Sequence, residues 1–325
     1  MGAIFDLGVR LAVALQGLGT WLKLPMEFFS FLGTEYFFLA LLPALYWCVD
    51  ATVGLRVGVM LLLGSSVNDF FKLAFHGPRP YWYSSQVKGY ASETSFGAPS
   101  GHAQISTGVW GMLAASVKKG WAWVVAAVVV FLIGLSRLYL GVHFLHDVLV
   151  GWLIGALLLW LVLRFWAPVA GWARKLSLGS QVLAAFLGSL ALILLEAIPY
   201  LWLKWSNWQP PQAWAQYAGQ ALTLSGAFTS AGTLFGLLVG LAGLNRLGSF
   251  SAGGLLWKRI VRYVLGLVGV LVFYLGLSFL FQLIAPDAEA LLPFILRYVR
   301  YTLVGAWVSF GAPWLFLRLK LAERA

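Results

Sequence analysis

The chain has 325 residues, of which 61% are hydrophobic and only 10% are charged. This composition is far more apolar than that of a soluble globular domain and predicts a polytopic membrane protein. The formal net charge is +11, and the basic residues lie in short connections. The sequence contains no polar domain that could gather them against the phosphate backbone of a nucleic acid. Nucleic acid is therefore excluded as a partner, and membrane lipids are expected.

Residues 1–30 show a helical spacing of apolar positions, interrupted by polar side chains such as Asp6, Arg10 and Lys23. This pattern predicts an amphipathic helix that lies in the membrane interface. A poorly hydrophobic first membrane span is the alternative. The segment lacks the positive start and the cleavage site of a signal peptide, so it is expected to be retained.

Nine apolar stretches follow, and each is long enough with its flanks to cross a hydrocarbon core of about 30 Å as a helix. We therefore predict an all-α, polytopic membrane helical bundle with about nine transmembrane helices. The predicted spans are residues 34–49, 56–76, 100–117, 121–141, 145–164, 181–203, 218–243, 260–284 and 294–317.

Lysine and arginine residues collect in alternate connections, which by the positive-inside rule face the cytoplasm. The opposite, outer face receives residues 77–99, 142–144, 204–216 and the acidic stretch 285–290. Because basic residues on the outer face break this rule, they are candidates for function. They are Lys72, Arg79, Lys88, Arg137 and His143.

Two of these cations lie close together at the end of the second predicted span. Lys72 ends the span, and Arg79 follows a Gly-Pro break and precedes Pro80, which stiffens the exit. Two cations are thus held near one helix end. Taken alone, both side chains could simply extend to lipid headgroups.

The stretch from Pro99 to His102 lies where a loop gives way to the third predicted span. A helix start offers unpaired N–H groups, Gly101 allows a ligand to approach closely, and Ser100 can cap the helix or donate a hydrogen bond. His102 adds a proton that can move near neutral pH. These features suit an anion, although an ordinary helix cap is the alternative.

The stretch around Gly141 carries a third group of polar residues. On one continuous helix, Arg137 and His143 would be separated by about 240°, but Gly141 permits a turn that lets both face the outer site. Asp147 lies four residues after His143, so its carboxylate can orient one imidazole nitrogen and leave the other free as a nucleophile. His146 points elsewhere on the helix and is interpreted as a packing residue.

Together these groups form a set suited to phosphoryl transfer. Lys72, Arg79 and Arg137 match the charge of a phosphate, and backbone N–H groups at Ser100 and Gly101 can hold its oxygens. The clustered ligands of a zinc or paired magnesium site are missing from the sequence, so we predict neither a metal nor another cofactor.

The three motifs resemble the complete signature of the type 2 phosphatidic acid phosphatase (PAP2) superfamily. This superfamily also includes undecaprenyl diphosphate phosphatases, glucose-6-phosphatases and vanadium haloperoxidases. The resemblance implies that His143 attacks phosphorus to form a phosphohistidine, that Asp147 orients it, and that His102 protonates the leaving oxygen and later activates water. It also implies a metal-free phosphate site formed by Lys72, Arg79, Ser100, Gly101 and Arg137.

On this resemblance, residues 31–166 are expected to form the catalytic core, flanked by residues 1–30 and by additional membrane helices in 167–325. The expected substrate is a lipid phosphate or polyprenyl diphosphate, such as phosphatidic acid or undecaprenyl diphosphate. Its hydrolysis is expected at the outer face of a bacterial cytoplasmic membrane. Hydrolysis of a sugar phosphate, as by a glucose-6-phosphatase, and transfer to a second lipid remain alternatives, and the oligomeric state stays open.

A transporter and a vanadium haloperoxidase are alternatives from other functional classes. Transport requires no nucleophile pair such as His143 and Asp147, and haloperoxidase activity is disfavoured by the membrane-embedded core.

Overall fold

A computed structural model describes residues 2–284 and 291–325, and every regular element in these ranges is a helix. The all-α prediction is therefore confirmed. The acidic stretch 285–290, which the sequence places on the outer face, lies outside the described residues.

The helices are numbered in chain order. They are α1 (Gly2–Gly17), α2 (Lys23–Phe31), α3 (Glu35–Cys48), α4 (Ala51–Phe75), α5 (Pro80–Tyr83), α6 (Gly101–Val117), α7 (Gly120–Tyr139), α8 (Leu145–Lys175), α9 (Leu178–Trp205), α10 (Ala215–Ala221), α11 (Ser225–Leu247), α12 (Leu256–Leu271), α13 (Leu277–Ile284), α14 (Leu291–Ala306) and α15 (Ala312–Arg318). Turns of π-helix over Val272–Gly276 and Trp307–Gly311 join α12 to α13 and α14 to α15.

Within the described ranges, seven helical segments are long and apolar enough to cross a membrane, or eight if the bent pair near the N-terminus forms one span. The predicted number of nine is therefore approximate. Seven predicted spans coincide with these segments, whereas stretches 34–49 and 100–117 form α3 and α6, of 14 and 17 residues. At 1.5 Å per residue these two helices measure about 21 and 26 Å, which is shorter than the hydrocarbon core.

The N-terminal segment forms two helices where the sequence predicts one. Gly2–Gly17 and Thr20–Phe31 meet at an angle of 91°, because the helix breaks around Gly19. Val9 and Ala12 of α1 are buried in a cluster with Val87 and Phe144. The position of this segment in the membrane interface stays a prediction.

The chain divides into two compact units that alternate along the sequence. Unit 1 consists of Met1–Phe38, Val67–Arg164 and Glu196–Thr223, and unit 2 consists of Leu39–Ser66, Phe165–Leu195 and Leu224–Ala325. All predicted site residues belong to unit 1. Because Glu196–Thr223 also belongs to it, part of the predicted C-terminal extension contributes to the unit that contains the motifs.

In unit 1 a shared apolar core holds the motif-bearing helices together. Ala103 of α6, Leu138 of α7 and Val148 of α8 are buried in one cluster. Each of these residues lies within a turn or two of a polar motif, so burying their side chains brings the start of α6, the end of α7 and the start of α8 side by side. In unit 2, Trp47, Ala312 and Phe316 are central to a separate core.

Candidate active site

The turn between α7 and α8 brings Arg137 and His143 to the same site. Gly141 has φ +74, a backbone conformation that favours glycine, and an added Cβ there would lie 2.5 Å from the carbonyl oxygen of Lys88. The N–H groups of Val142 and His143 both donate to the carbonyl of Arg137, at 3.2 and 3.3 Å. The chain therefore reverses immediately behind the arginine.

His143 lies between a carboxylate and a guanidinium. Its Nδ1 is 3.4 Å from Asp147 Oδ2, and its Nε2 is 3.1 Å from Arg79 Nη1. Because a guanidinium can only donate, Nε2 must carry the lone pair and Nδ1 the hydrogen. The N–H of Phe144 also donates to Asp147 Oδ2, at 2.9 Å, which fixes the carboxylate against the imidazole.

The imidazole of His143 is held in its neutral form. Burial, followed by the positive charges of Arg79 and Arg137, lowers the pKa of His143 well below its usual range. A neutral imidazole with its hydrogen on Nδ1 has a nucleophilic lone pair on Nε2 at pH 7. The arrangement therefore supplies an oriented nucleophile.

Arg79 is completely buried, and each of its three nitrogens donates a hydrogen bond. Nε donates to the carbonyl of Ser95 at 2.7 Å, and Nη1 donates to the carbonyl of Val142 at 2.9 Å. Nη2 donates to Ser95 Oγ and to the carbonyl of Phe96, both at 3.1 Å. Ser95 Oγ also accepts from Lys72 Nζ at 2.7 Å, so one hydroxyl joins two of the predicted phosphate-binding cations.

Arg137 is paired with Glu93. Its Nη2 donates to Glu93 Oε1, and its Nη1 donates to Ser30 Oγ of α2. The second carboxylate oxygen of Glu93 lies 3.9 Å from Arg79 Nη2. A carboxylate thus lies beside two predicted phosphate-binding arginines.

The charges around Glu93 determine its protonation. Burial alone would raise the pKa of Glu93, but the positive charges of Arg137 and Arg79 lower it to about 2. The carboxylate is therefore ionised throughout the physiological range and counters the charge of the arginines.

Acid is expected to destabilise the protein through Glu93. Because the pKa of Glu93 lies below the usual value of about 4.5, its contribution to stability is fully present above pH 4.5 and is lost as the pH falls towards 2, in total about 3 kcal/mol. Thermal melting in detergent is expected to show a steeper fall below pH 4.5 for wild type than for Glu93→Gln. The exposed Glu27, paired with Lys23 at 3.7 Å, provides the control Glu27→Gln, which should follow wild type. Equal slopes for wild type and Glu93→Gln would count against this account.

The start of α6 differs in one respect from the sequence prediction. The backbone N–H of Ser100, predicted to hold a phosphate oxygen, donates instead to the carbonyl of Asp147 at 2.9 Å, because the start of α6 packs against the first turn of α8. Ser100 Oγ caps the helix by accepting from the N–H of Ala103 at 3.4 Å. Its hydroxyl hydrogen can still donate to an anion.

Gly101 and His102 follow this cap. An added Cβ at Gly101 would lie 2.9 Å from Asn68 Oδ1, so close packing against α4 favours glycine there. His102 Nε2 is buried and has no hydrogen-bond partner among the described residues. The charges of Arg137 and Glu93 act on this imidazole, which places His102 within electrostatic reach of the same cluster.

The sequence predicts that His146 points away from the site, but in the structure it lies beside Asp147. Its Nε2 lies 3.2 Å from Asp147 Oδ1, so the carboxylate lies between two imidazoles. The ring also stacks on Phe144, with centroids 5.3 Å apart, and contacts the ring of Phe5 at 5.6 Å. These aromatic contacts account for a packing role.

Two models of known protein families together match most of the chain. The model of the PAP2 superfamily matches residues 53–169, and the model described as PAP2 superfamily phosphatase, transmembrane extension, matches residues 228–324. The chain is a member of the PAP2 superfamily. The extension and the apolar helices identify it as an integral membrane protein.

The relatives of this PAP2 member include phosphatases that act on different substrates. It is 32% identical to glucose-6-phosphatase 3 of Bos taurus over 215 residues, which cover 58% of this chain and 61% of the relative. It is 31% identical to an undecaprenyl-diphosphatase of Sulfolobus acidocaldarius over 137 residues, covering 40% and 64%. The chain spans about 61% of the length of the bovine, human and mouse glucose-6-phosphatase 3 that it matches.

One similar solved structure is that of a transmembrane PAP2 type phosphatidylglycerolphosphate phosphatase from Bacillus subtilis. It shares 27% identity with this chain at a TM-score of 0.46, and the match covers 52% of this chain and 89% of that chain.

Four residues of this PAP2 site were not predicted as site residues from the sequence. Glu93 and Ser95 contact the cations directly, Ser30 contacts Arg137, and Asn68 Nδ2 donates to the carbonyl of Pro99 at 3.3 Å. The polar stretch 92–95, in an otherwise apolar chain, is the sequence signal that could have indicated Glu93 and Ser95. Ser30 and Asn68 gave no such signal, since each is a single polar residue in a helix.

Proposed function

We propose that this protein is an integral-membrane, metal-independent phosphatase that transfers a phosphoryl group first to His143 and then to water. The observation that carries the proposal is the position of His143, with Nδ1 directed at Asp147 and Nε2 directed at Arg79. A nucleophile oriented by a carboxylate and directed at fixed guanidinium groups is the arrangement that phosphoryl transfer needs.

In the first step, the lone pair on Nε2 of His143 attacks phosphorus. A P–N bond forms, the P–O bond to the leaving group breaks, and His102, which enters this step as the imidazolium once the anionic substrate is bound, donates a proton to the departing oxygen and becomes neutral. The hydrogen on Nδ1 stays between His143 and Asp147, whose charge stabilises the positive phosphohistidine. The unpartnered, buried Nε2 of His102 supports its assignment as the acid.

In the second step, water attacks the phosphohistidine. His102 takes a proton from the water, a P–O bond forms, and the P–N bond to His143 breaks. Inorganic phosphate leaves, and both imidazoles return to their starting protonation states. Lys72, Arg79 and Arg137 would neutralise the non-bridging oxygens in both transition states, with further hydrogen bonds from Ser100 and Gly101.

We expect a chelator to leave activity unchanged. The three cations supply the charge stabilisation that metal ions supply in two-metal phosphatases, and no group of three or more His, Cys, Asp or Glu side chains in the described ranges could hold a metal ion. The measurement is phosphate release in detergent with and without EDTA, with a two-metal phosphatase as a control for chelation. A loss of activity that added divalent metal restores would contradict the mechanism.

The substrate class proposed first is a lipid phosphate or polyprenyl diphosphate. The motifs lie at the ends of α4, α6, α7 and α8, so a headgroup could reach the site from water while its acyl or prenyl chain stays in lipid. The positive-inside pattern favours the outer face of the membrane for this site. The similarity to an undecaprenyl-diphosphatase supports the same class.

A sugar phosphate is the second candidate, because the similarity to glucose-6-phosphatase 3 extends over 215 residues. A phosphate-release panel with undecaprenyl diphosphate, phosphatidic acid, phosphatidylglycerol phosphate and glucose 6-phosphate decides between the two classes. Preferred turnover of glucose 6-phosphate would replace the lipid assignment. Recovery of the phosphoryl group on a second lipid, and not on water, would identify a phosphotransferase.

A further inference from the structure

A segment of unit 1 between the two family matches packs against the residues that hold Arg79. This segment, residues 206–217, lies outside both matched ranges, which end at 169 and begin again at 228. It contributes three aromatic side chains, which we call the aromatic cap: Trp208, Trp214 and Tyr217. Of these, Trp214 is 5% exposed.

One side of the aromatic cap stacks on Trp82 of α5. The rings of Trp82 and Tyr217 are 5.2 Å apart and nearly parallel, at 7°, and those of Trp82 and Trp214 are 6.1 Å apart at 27°. The guanidinium carbon of Arg79 lies 5.7 Å from the ring of Trp82. Trp82 therefore contacts both the cap and the arginine.

The other side of the cap packs against Phe96. The ring of Phe96 lies edge-on to Trp208 at 5.8 Å and to Trp214 at 6.5 Å. Phe96 is fully buried, and its carbonyl accepts a hydrogen bond from Arg79 Nη2 at 3.1 Å. The cap thus contacts both of the segments that hold Arg79, and Trp214 contacts both at once.

We propose that the aromatic cap is a positioning element for Arg79 and that Trp214 is its central residue. This inference rests on the proposed phosphoryl-transfer site. Arg79 Nη1 must stay near Nε2 of His143, 3.1 Å away, and a misplacement of about 1 Å can lower a rate on the order of 10²-fold. Two stacked ring contacts restrict the movement of Trp82, and two edge-on ring contacts restrict that of Phe96. Because both residues contact Arg79, the movement of its guanidinium is restricted as well.

The test compares kinetic constants of cap variants. Trp214→Ala is expected to lower kcat by about 10- to 10²-fold, whereas Trp214→Phe, which keeps an aromatic ring, restores most of it. Trp205→Ala is the matched control, because Trp205 lies at the end of α9 and is 82% exposed; it should behave as wild type. A kcat for Trp214→Ala equal to that of wild type would overturn the inference.

Orthovanadate supplies a readout that does not depend on turnover. Wild type is expected to melt at a higher temperature with vanadate in the site. Trp214→Ala is expected to melt at a lower temperature than wild type because a buried indole is removed, and to show no further shift when vanadate is added. A full vanadate shift in Trp214→Ala would contradict the inference, even if no substrate in the panel is hydrolysed. If Trp214→Ala does not fold, Tyr217→Ala and Tyr217→Phe replace it with the same expectations. A wild-type protein with neither turnover nor a vanadate shift contradicts both proposals.

Discussion

Replacing His143 with alanine is expected to reduce phosphate release to background, a loss in kcat of at least about 10³-fold. The alanine variant lacks the lone pair that forms the P–N bond, and no other described imidazole is directed at Arg79 as Nε2 of His143 is. Phosphate release from the preferred substrate, in detergent and with EDTA present, measures the effect.

The matched control is His146→Ala. His146 also lies beside Asp147, at 3.2 Å, but its ring is packed against Phe144 and Phe5, so the variant should retain most of its activity. Brief reaction with a phosphate-labelled substrate followed by alkaline denaturation should trap labelled protein in wild type and in His146→Ala. Label of the same amount in His143→Ala would show that another residue is the nucleophile.

The substitution Asp147→Asn is expected to lower kcat on the order of 10²- to 10⁴-fold with a smaller change in KM. The carboxylate accepts from Nδ1 of His143 and from the N–H of Phe144. An amide can present its NH2 group to Nδ1, which favours the tautomer with hydrogen on Nε2 and removes the nucleophilic lone pair. The loss therefore arises with little change in the shape of the site.

Asp50→Asn is a suitable control for this substitution. Asp50 accepts hydrogen bonds from the N–H groups of Thr52 and Val53 at the start of α4, at 2.7 and 3.0 Å. An asparagine oxygen can accept the same bonds, so activity should be close to that of wild type. If Asp147→Asn raises KM strongly and leaves kcat unchanged, Asp147 contributes to substrate binding and does not orient the nucleophile.

The parts of this fold that depend on local sequence were predictable. Apolar length determines whether a helix can cross a bilayer, and seven of the nine predicted spans correspond to such helices. The turn at Gly141 was also predictable from the sequence, because a glycine with positive φ can reverse the chain between two spans and place Arg137 and His143 together. The helices α3 and α6 were predicted as membrane spans, but they have only 14 and 17 residues, and α6 begins within the polar motif Pro99–His102.

Contacts between residues distant in sequence were not predictable. Ser30 and Arg137 are separated by 107 positions, and no periodicity links them. The N–H of Ser100 was predicted to be available to a ligand, but its partner is a carbonyl on another helix. The segment around Trp214 was assigned to a C-terminal extension, although it packs against Trp82 in unit 1. Side-chain pairing of this kind depends on how helices are arranged, which hydropathy does not encode.

The carboxylate of Glu93 determines which anions can compete for the arginines. An entering anion gains only the difference between its own interaction with Arg137 and Arg79 and the interaction that Glu93 already makes there. A small monovalent ion such as chloride has one charge and no paired oxygens, so it is a poor replacement for a carboxylate. A phosphate dianion offers more charge and three oxygens in fixed geometry. A site in which Glu93 already pairs with Arg137 and Arg79 is therefore expected to discriminate against halide and carboxylate anions and in favour of phosphate esters.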